Sequence, residues 1–211
     1  MTPVTPCLVL DGSARDGVRV GVLSAGAWKS QSCSEEGAME SADRCVREAL
    51  AAAGVSVDDI ASFAVCAGPG SILGIRLTSI MVRAWLSLRS RPCYVWNALE
   101  AVASSARLAG RRPPFIVASE SRLRRWNVLK VPASGPSECA ELEAAQVAAL
   151  GAPLIASSAG APFPCEPAPD VWPSLPGLFS QGGLLRAEDR PDALNPAPEF
   201  ALWSGERHRA P

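Results

Sequence analysis

The stretch that decides the fold is residues 66–76, which read CAGPGSILGIR. Three glycines and a proline within residues 68–74 predict a loop whose backbone can approach another molecule closely. An apolar strand at residues 60–66 precedes the loop, and an amphipathic helix at residues 75–88 follows it. Free N–H groups at the start of a helix attract an anion or a carboxylate. The loop has neither the Gly-Lys-Ser/Thr ending of a Walker A loop nor G-x-G-x-x-G spacing, so it matches neither common phosphate loop.

Composition limits the class of protein. The chain has 211 residues, of which 48% are apolar, enough for one large or two small domains. A net charge of −1 gives no general case for a nucleic-acid binder. No apolar run is long enough to cross a membrane, and residues 1–6 do not resemble a signal peptide, so we expect neither. Seven cysteines without a C-x-x-C pair favour a reducing, cytoplasmic compartment.

Histidine is nearly absent. The one histidine is His208, close to the end of the sequence, where a solvated tail residue is the ordinary interpretation. This count argues against Ser-His-Asp, Cys-His and histidine-rich metal sites, so we expect no catalytic residue and no metal site. Cys66 precedes the glycine loop but has no histidine to activate it, and we interpret it as a buried structural cysteine.

The first half of the chain alternates strand and helix patterns in the order βββαβαβα, which favours a mixed sheet covered by helices. Ser41 is the expected N-cap of the first helix. The predicted strands are residues 7–10, 18–22, 27–32, 60–66 and 92–95, and the predicted helices are residues 41–53, 75–88 and 98–108.

The second half is less regular. We predict strands at residues 115–118, 126–131 and 153–157 and a helix at residues 138–150. Nine prolines between residues 160 and 198 predict mostly loop there, with one helix within residues 175–185. Residues 107–130 carry seven basic residues against one acidic residue. This excess is either a solvated surface or a face for RNA or an acidic partner.

Four segments resemble the TsaB (YeaZ) family, the noncatalytic half of the bacterial enzyme that makes threonylcarbamoyladenosine in tRNA. Residues 8–13, LVLDGS, resemble the family's apolar strand ending in Asp-Thr-Ser/Ala. Residues 68–76 resemble its Gly-Pro-Gly-Ser-Phe-Thr-Gly-x-Arg-x-Gly, whose last glycine corresponds to position 78. Residues 120–122 stand where the family has Asp-Ala-Arg, and residues 198–203 resemble its closing strand. The resemblance covers roughly residues 7–131.

The chain departs from the family pattern beside the possible ligand. Gly12 replaces threonine, Ile72 replaces phenylalanine, Leu73 replaces threonine and Thr78 replaces the last glycine. The changes at positions 12, 73 and 78 remove a polar or special-backbone group. The departures bear on nucleotide binding more than on the fold.

The resemblance implies an α/β, actin-like ATPase (ribonuclease H-like) fold with two lobes, the second reduced. The implied parts are an N-terminal lobe at residues 1–106, a smaller irregular lobe at residues 107–198, and a strand and tail at residues 199–211 that return to the first lobe. We expect no tightly bound cofactor, although ATP or ADP remains possible. The candidate nucleotide- or anion-binding residues are Asp11, Ser13, Gly68, Gly70, Ser71, Gly74 and Arg76. The alternatives are an ordinary aspartate turn, a simple strand-to-helix turn and a solvated arginine.

The resemblance also implies that the helices at residues 41–53 and 75–88 pack against the same helices of a partner as a four-helix bundle. The alternative is that their apolar stripes only meet the sheet. The candidate interface residues are Ala38, Met39, Ala42, Cys45, Leu77, Ile80, Met81, Ala84 and Trp85.

The implied function is that of an accessory subunit. It would heterodimerise with a TsaD-type enzyme for threonylcarbamoyl transfer to adenosine 37 of tRNA, help to seat a TsaE-type ATPase, and meet tRNA indirectly. The family's catalytic relative holds a metal through H-x-x-x-H, and this chain has no histidine pair, which also argues against a glycoprotease. Two alternatives stay open: a homodimeric actin-like interaction protein that has lost the pathway, and a small ATP-dependent kinase or hydrolase.

Overall fold

The strand that precedes the glycine loop is buried along its whole length because it lies in the middle of a six-stranded sheet. The computed structural model describes residues 1–15, 17–121, 125–157 and 160–193. In the first sheet the order is β11-β5-β4-β1-β2-β3; β1, β4 and β5 are parallel, and the other pairings are antiparallel. Its strands are β1 (Cys7–Asp11), β2 (Val18–Ser24), β3 (Ala27–Ser34), β4 (Ser62–Gly68), β5 (Cys93–Asn97) and β11 (Arg186–Ala187).

Two helices cover one face of this sheet, and their apolar sides form one cluster with β1, β2 and β4. They are α1 (Ala38–Ala53) and α2 (Ile72–Leu88). The predicted N-cap of α1 is wrong, because the helix begins after Gly37. Ser41 lies inside the first turn, where its hydroxyl donates to the Gly37 carbonyl oxygen at 2.8 Å. A serine inside a helix can satisfy its hydroxyl in this way, so residue type alone does not mark the cap.

Helix α3 (Ala98–Leu108) lies between the two halves of the molecule. Ala101 packs with the first sheet, whereas Val102 and Ala106 pack with strands of a second, five-stranded sheet. The second sheet has the order β10-β9-β6-β7-β8. Its strands are β6 (Phe115–Glu120), β7 (Arg125–Val131), β8 (Glu138–Glu143), β9 (Leu154–Ala156) and β10 (Glu166–Pro167).

The predicted helix at residues 138–150 is wrong over its first half. That half is β8, which pairs antiparallel with β7, and only the short helix α4 (Ala144–Ala148) follows it. An open sheet edge offers hydrogen bonds to a neighbouring extended segment, and this tertiary pairing overrides the local helical pattern.

The proline-rich region contains more regular structure than its composition predicts. The expected helix is present as α5 (Leu175–Gln181), preceded by a 3₁₀ turn at Trp172–Ser174. The short strands β10 and β11 were not predicted, because two residues leave no periodic pattern.

The segment around α5 covers the second face of the first sheet, where its apolar side chains meet those of β1 and β4. The Trp28 and Trp172 rings stack with centroids 4.7 Å apart, and the Trp28 indole N–H donates to the Trp172 carbonyl oxygen. Part of residues 107–198 therefore lies with the first lobe; the boundary at residue 106 stays a prediction. The predicted closing strand at residues 198–203, the tail at residues 199–211 and His208 lie outside the described residues. Among the helices described, none is long and apolar enough to cross a bilayer.

Candidate functional site

A hydrogen bond between the side chain of Asp11 and the backbone of Ser13 stabilises the turn after β1, which we call the aspartate turn. Asp11 ends β1 and is half-buried, and its Oδ1 accepts a hydrogen bond from the backbone N–H of Ser13 at 2.8 Å. An aspartate that bonds the backbone two residues ahead stabilises a tight turn. The turn therefore positions the Asp11 carboxylate at the end of the central strand, beside the glycine loop.

The aspartate turn and the glycine loop touch backbone to backbone. The N–H of Ser71 donates to the Ser13 carbonyl oxygen at 2.7 Å. A Cβ on Gly70 would lie 2.2 Å from that same oxygen, and a Cβ on Gly74 would lie 2.1 Å from the Gly12 carbonyl oxygen. No side chain fits at these distances, so glycine at both positions is what allows the two loops to meet.

The start of α2 uses some of its own donors. Ser71 is the N-cap, and its hydroxyl accepts from the Gly74 N–H at 3.3 Å. The N–H groups of Ser71 and Gly74 therefore already have acceptors within the chain. The contacts support the turn interpretation of this loop; anion binding by it stays a prediction.

The other two candidate residues lie at opposite ends of this turn. Gly68 ends β4 with a φ of 99°, in the region that favours glycine. Arg76 is exposed on the outer side of α2, and no hydrogen bond or ion pair joins its guanidinium to another described residue. The structure thus brings Asp11, Ser13 and the loop together but leaves Arg76 outside the turn.

Cys66 is fully buried at the end of β4. Burial raises the pKa of its thiol well above the ordinary value of 9.0, and the nearby Asp11 carboxylate raises it further. A thiol that stays protonated is a poor nucleophile, which agrees with a structural role.

A polar bridge that the sequence did not reveal crosses between the two halves next to the aspartate turn. Arg15 lies 3.6 Å from the Glu120 carboxylate and donates to the Ser121 carbonyl oxygen at 3.2 Å. The Ser121 hydroxyl donates to Glu141 at 2.7 Å. Arg122 of the predicted Glu-Ser-Arg motif lies outside the described residues. Among the described residues, no three His, Cys, Asp or Glu side chains could together hold a metal ion.

The candidate interface residues divide by burial. One group is buried in the chain's own core and is not on the surface that a partner would meet: Ala38, Ala42 and Cys45. A second group is half-buried against that core: Leu77, Met81 and Trp85. The third group is exposed: Met39, Ile80 and Ala84. Ring stacking on Phe63, with centroids 5.5 Å apart, holds Trp85 inward.

The exposed side of α2 is apolar over three turns. We call this surface the outer strip; it comprises the exposed Leu73, Ile80 and Ala84 and, between them, Leu77, which is half-buried against the core. Leu73 is 60% exposed and Ile80 is 57% exposed. Residues spaced by three and four share one side of a helix, so these side chains form a continuous row. In the sequence, Leu73 stands out only as a departure from the family motif. Its helical spacing with Ile80 is the signal that marks it as part of an exposed apolar strip.

Comparisons with known proteins agree with this architecture. The structure of YeaZ from Pseudomonas aeruginosa aligns with a TM-score of 0.66 at 20% identity, covering 91% of this chain and 100% of that one. A second structure, an uncharacterized protein with similarity to peptidase YeaZ from the same organism, gives 0.64 at 20% identity, covering 90% and 98%. The chain has the fold of YeaZ. The predicted α/β fold class with two sheets is confirmed, and the resemblance noted in the sequence is confirmed at the level of the fold.

In sequence, part of the chain is similar to tRNA N6-adenosine threonylcarbamoyltransferases. The family model described as TsaD, tRNA N6-adenosine threonylcarbamoyltransferase, matches residues 34–123. A curated tRNA N6-adenosine threonylcarbamoyltransferase of Caulobacter vibrioides is 35% identical over 133 residues, which is 62% of this chain. The chain spans only 35% of the length of that relative. Both α1 and α2 lie within the region that the family model matches.

Proposed function

We propose that this chain with the YeaZ fold is a noncatalytic subunit in threonylcarbamoyl transfer to adenosine 37 of tRNA, and that it heterodimerises with a TsaD-type enzyme. The similarity to YeaZ and to tRNA N6-adenosine threonylcarbamoyltransferases supports the pathway. The observation that carries the partner role is the outer strip. It presents a row of large apolar side chains on a helix whose other side is already buried.

The outer strip has the properties of a docking surface. Contiguous exposed apolar side chains on a water-soluble surface mark interaction sites. Full burial of one leucine or isoleucine contributes about 1.5–3 kcal/mol, so Leu73 and Ile80 together could contribute several kcal/mol to association. Met39 at the start of α1 is also exposed and adds a flexible side chain of a type enriched at interface cores.

The contacts at the glycine loop favour binding over bond-making as the mechanism. The thiol of Cys66 is buried, and the Asp11 carboxylate bonds the Ser13 backbone. ATP or ADP would have to compete with the Ser13–Ser71 contact for the same donor. The subunit would hold its catalytic partner in the active arrangement, and the TsaE-type ATPase and tRNA would join the assembled pair.

The test is binding to, and activation of, the TsaD-type protein of the same organism. We expect the wild-type chain to co-purify with that protein and to raise threonylcarbamoyl transfer to tRNA in a reconstituted reaction. Ile80→Glu should abolish both effects. Leu108→Glu is the matched control, because Leu108 is 56% exposed on another helix and should tolerate the change. Normal co-purification of Ile80→Glu would contradict the proposed interface.

The alternatives make different predictions in the same assays. A homodimeric protein that has lost its role in tRNA modification would self-associate through the outer strip and would not bind the TsaD-type protein. A small kinase or hydrolase would turn over ATP alone. We expect no ATP hydrolysis by the isolated chain above that of an Asp11→Asn variant.

A further inference from the structure

We propose that a row of arginines beside the outer strip selects a partner helix that carries carboxylates and disfavours antiparallel pairing with a second copy of this chain. The proposal rests on the proposed function, because it concerns the same side of α2. We call Arg76 and Arg83 the arginine row.

Among the described residues, no carboxylate forms an ion pair with the arginine row. Seven arginines of the described residues have a carboxylate oxygen within 4.0 Å: Arg15, Arg19, Arg44, Arg47, Arg111, Arg125 and Arg186. Arg76 and Arg83 have no such partner among the described residues, and no hydrogen bond is found for either side chain. Arg76 is exposed and Arg83 is half-buried. A positive row that lacks an internal counter-charge is available to an external one.

Helical spacing places the arginine row along one edge of the outer strip. Positions seven apart lie on the same side of a helix, so Arg76 and Arg83 are two turns apart on one line. The opposite edge, which Met81 shares with Gly74, faces α1, because a Cβ on Gly74 would lie 3.4 Å from the Ala38 Cβ of α1. The strip is therefore asymmetric, with arginines on one edge and α1 on the other.

A groove adjoins this positive edge, and most of its lining residues, including Ile80 and Ala84 of the outer strip, lie on α2. It has a volume of about 650 Å³ and lies between Arg83 and Ser87 of α2 and the segment with Asp189 and Arg190. The Arg190 side chain also has no ion-pair partner in the described part of the chain. The groove and the row together present three guanidinium groups; Asp189 lines the groove, and the neighbouring Glu188 carboxylate accepts from the Arg190 backbone N–H at 3.0 Å.

The charge pattern disfavours an antiparallel pairing of α2 with itself. In an isologous contact the same surface meets itself. When two identical helices pack antiparallel about a two-fold axis, the same edge of each helix faces the other, so the two arginine rows would meet. A parallel pairing would bring each row to α1 of the other copy. There Asp43 is already paired with Arg47 at 2.8 Å, but the exposed Glu40 has no ion pair among the described residues, so the charge pattern disfavours only the antiparallel arrangement. A partner helix with apolar side chains in its middle and carboxylates along one edge satisfies both the strip and the row.

The test compares charge reversal with a matched control on the full chain, with the TsaD-type protein of the same organism as the probe. We expect Arg76→Glu/Arg83→Glu to weaken binding at least 30-fold in 50 mM NaCl and much less in 300 mM NaCl, because salt screens exposed charges. Arg107→Glu/Arg112→Glu reverses two other exposed arginines without an ion pair and should change binding less than twofold. Thermal melts should show that both variants fold.

Self-association supplies the second readout. Sedimentation of a mixture of the wild type and Arg76→Glu/Arg83→Glu should reveal a mixed dimer that is tighter than the self-pairing of either protein, because opposite rows then face each other. If the charge-reversed variant binds the TsaD-type protein as tightly as the wild type, the arginine row is not selective, although the proposed function survives. If the wild-type chain does not bind that protein at all, both proposals are overturned.

Discussion

Gly12 and Gly74 lie 62 positions apart in the sequence, and their backbones touch. A Cβ on Gly12 would lie 2.5 Å from the Gly74 carbonyl oxygen, and a Cβ on Gly74 would lie 2.1 Å from the Gly12 carbonyl oxygen. This contact joins the turn after β1 to the first turn of α2. It locks together the two segments that carry most of the candidate nucleotide-binding residues.

We therefore predict that Gly74→Ala lowers the free energy of unfolding by about 2 kcal/mol or more, although alanine is the better helix former. The added methyl group must push two backbone segments apart. Urea unfolding followed by circular dichroism measures the loss. Gly177→Ala is the matched control: Gly177 lies in α5 with no atom in the way of a Cβ, so the change should be neutral or stabilise by up to about 1 kcal/mol. Equal stabilities of the two variants would contradict the backbone contact.

The N-caps of α2 and α3 should differ in strength. Asn97 accepts from the N–H groups of Leu99 at 2.8 Å and Glu100 at 3.2 Å, whereas Ser71 accepts only from Gly74 at 3.3 Å. Asn97→Ala should therefore cost about 1–2 kcal/mol and Ser71→Ala about 0.5–1 kcal/mol. Chemical denaturation gives both values, with Ser87→Ala as the control of unchanged stability. If Ser71→Ala lowers the free energy of unfolding by more than Asn97→Ala does, the Ser71 hydroxyl stabilises the glycine loop in addition to capping α2.

Alkaline pH should destabilise the protein through its buried thiols. Burial raises the pKa of Cys7 and of Cys93 from 9.0 to about 12, and it raises the pKa of Cys66 in the same direction. The unfolded chain releases these protons first, so the stabilising effect is complete below about pH 9 and is lost as the pH rises toward 12. Each thiol contributes a slope of about 1.4 kcal/mol per pH unit in that window.

Urea titrations under reducing conditions at several alkaline pH values measure this slope. Cys66→Ala should lower the slope by the contribution of one thiol, whereas Cys165→Ala, at an exposed position, should leave the slope unchanged. A free energy of unfolding that does not vary between pH 9 and pH 11 would be inconsistent with buried, protonated thiols.

Substitutions at buried positions of α1 and α2 should lower stability, whereas substitutions at exposed positions should affect only partner binding. Ala42 is only 2% exposed in the core, so Ala42→Arg should bury an unpaired charge and cost several kcal/mol. Ile80→Glu should change the free energy of unfolding by no more than about 0.5 kcal/mol, because the side chain is in water. Thermal melts distinguish the two. Unfolding of Ile80→Glu at ordinary temperature would show that the outer strip is part of the core.

The sequence predicts the first sheet well because its strands and helices have long, regular patterns. The strand patterns at residues 7–10 and 60–66 correspond to β1 and β4, which are central and buried on both faces. The second sheet was harder to predict, since β8 is an edge strand whose extended form depends on pairing with β7. Residues 138–150 hold alanine, glutamate and leucine at helical spacing, and no local signal reveals the neighbouring strand.

The sequence predicts which segments form the candidate site, but it does not predict the contacts between those segments. The Asp-Gly-Ser turn and the glycine loop are visible in the sequence, yet their mutual approach depends on β1 and β4 being neighbours. The same limit applies to the candidate interface. Apolar spacing identifies α1 and α2, but only packing shows that Cys45 faces the sheet while Ile80 faces water.

The return of the segment around α5 and β11 to the first sheet has a consequence for synthesis. Trp172, Leu178 and Leu185 shield a face that includes Val9 and Ala64, and β11 supplies the neighbour of β5. A ribosome must therefore translate at least to residue 187 before this sheet can acquire its last strand and its second apolar cover. Until then the nascent polypeptide presents a bare β-surface to chaperones, and a gene fragment that stops after α3 would encode a product prone to aggregation.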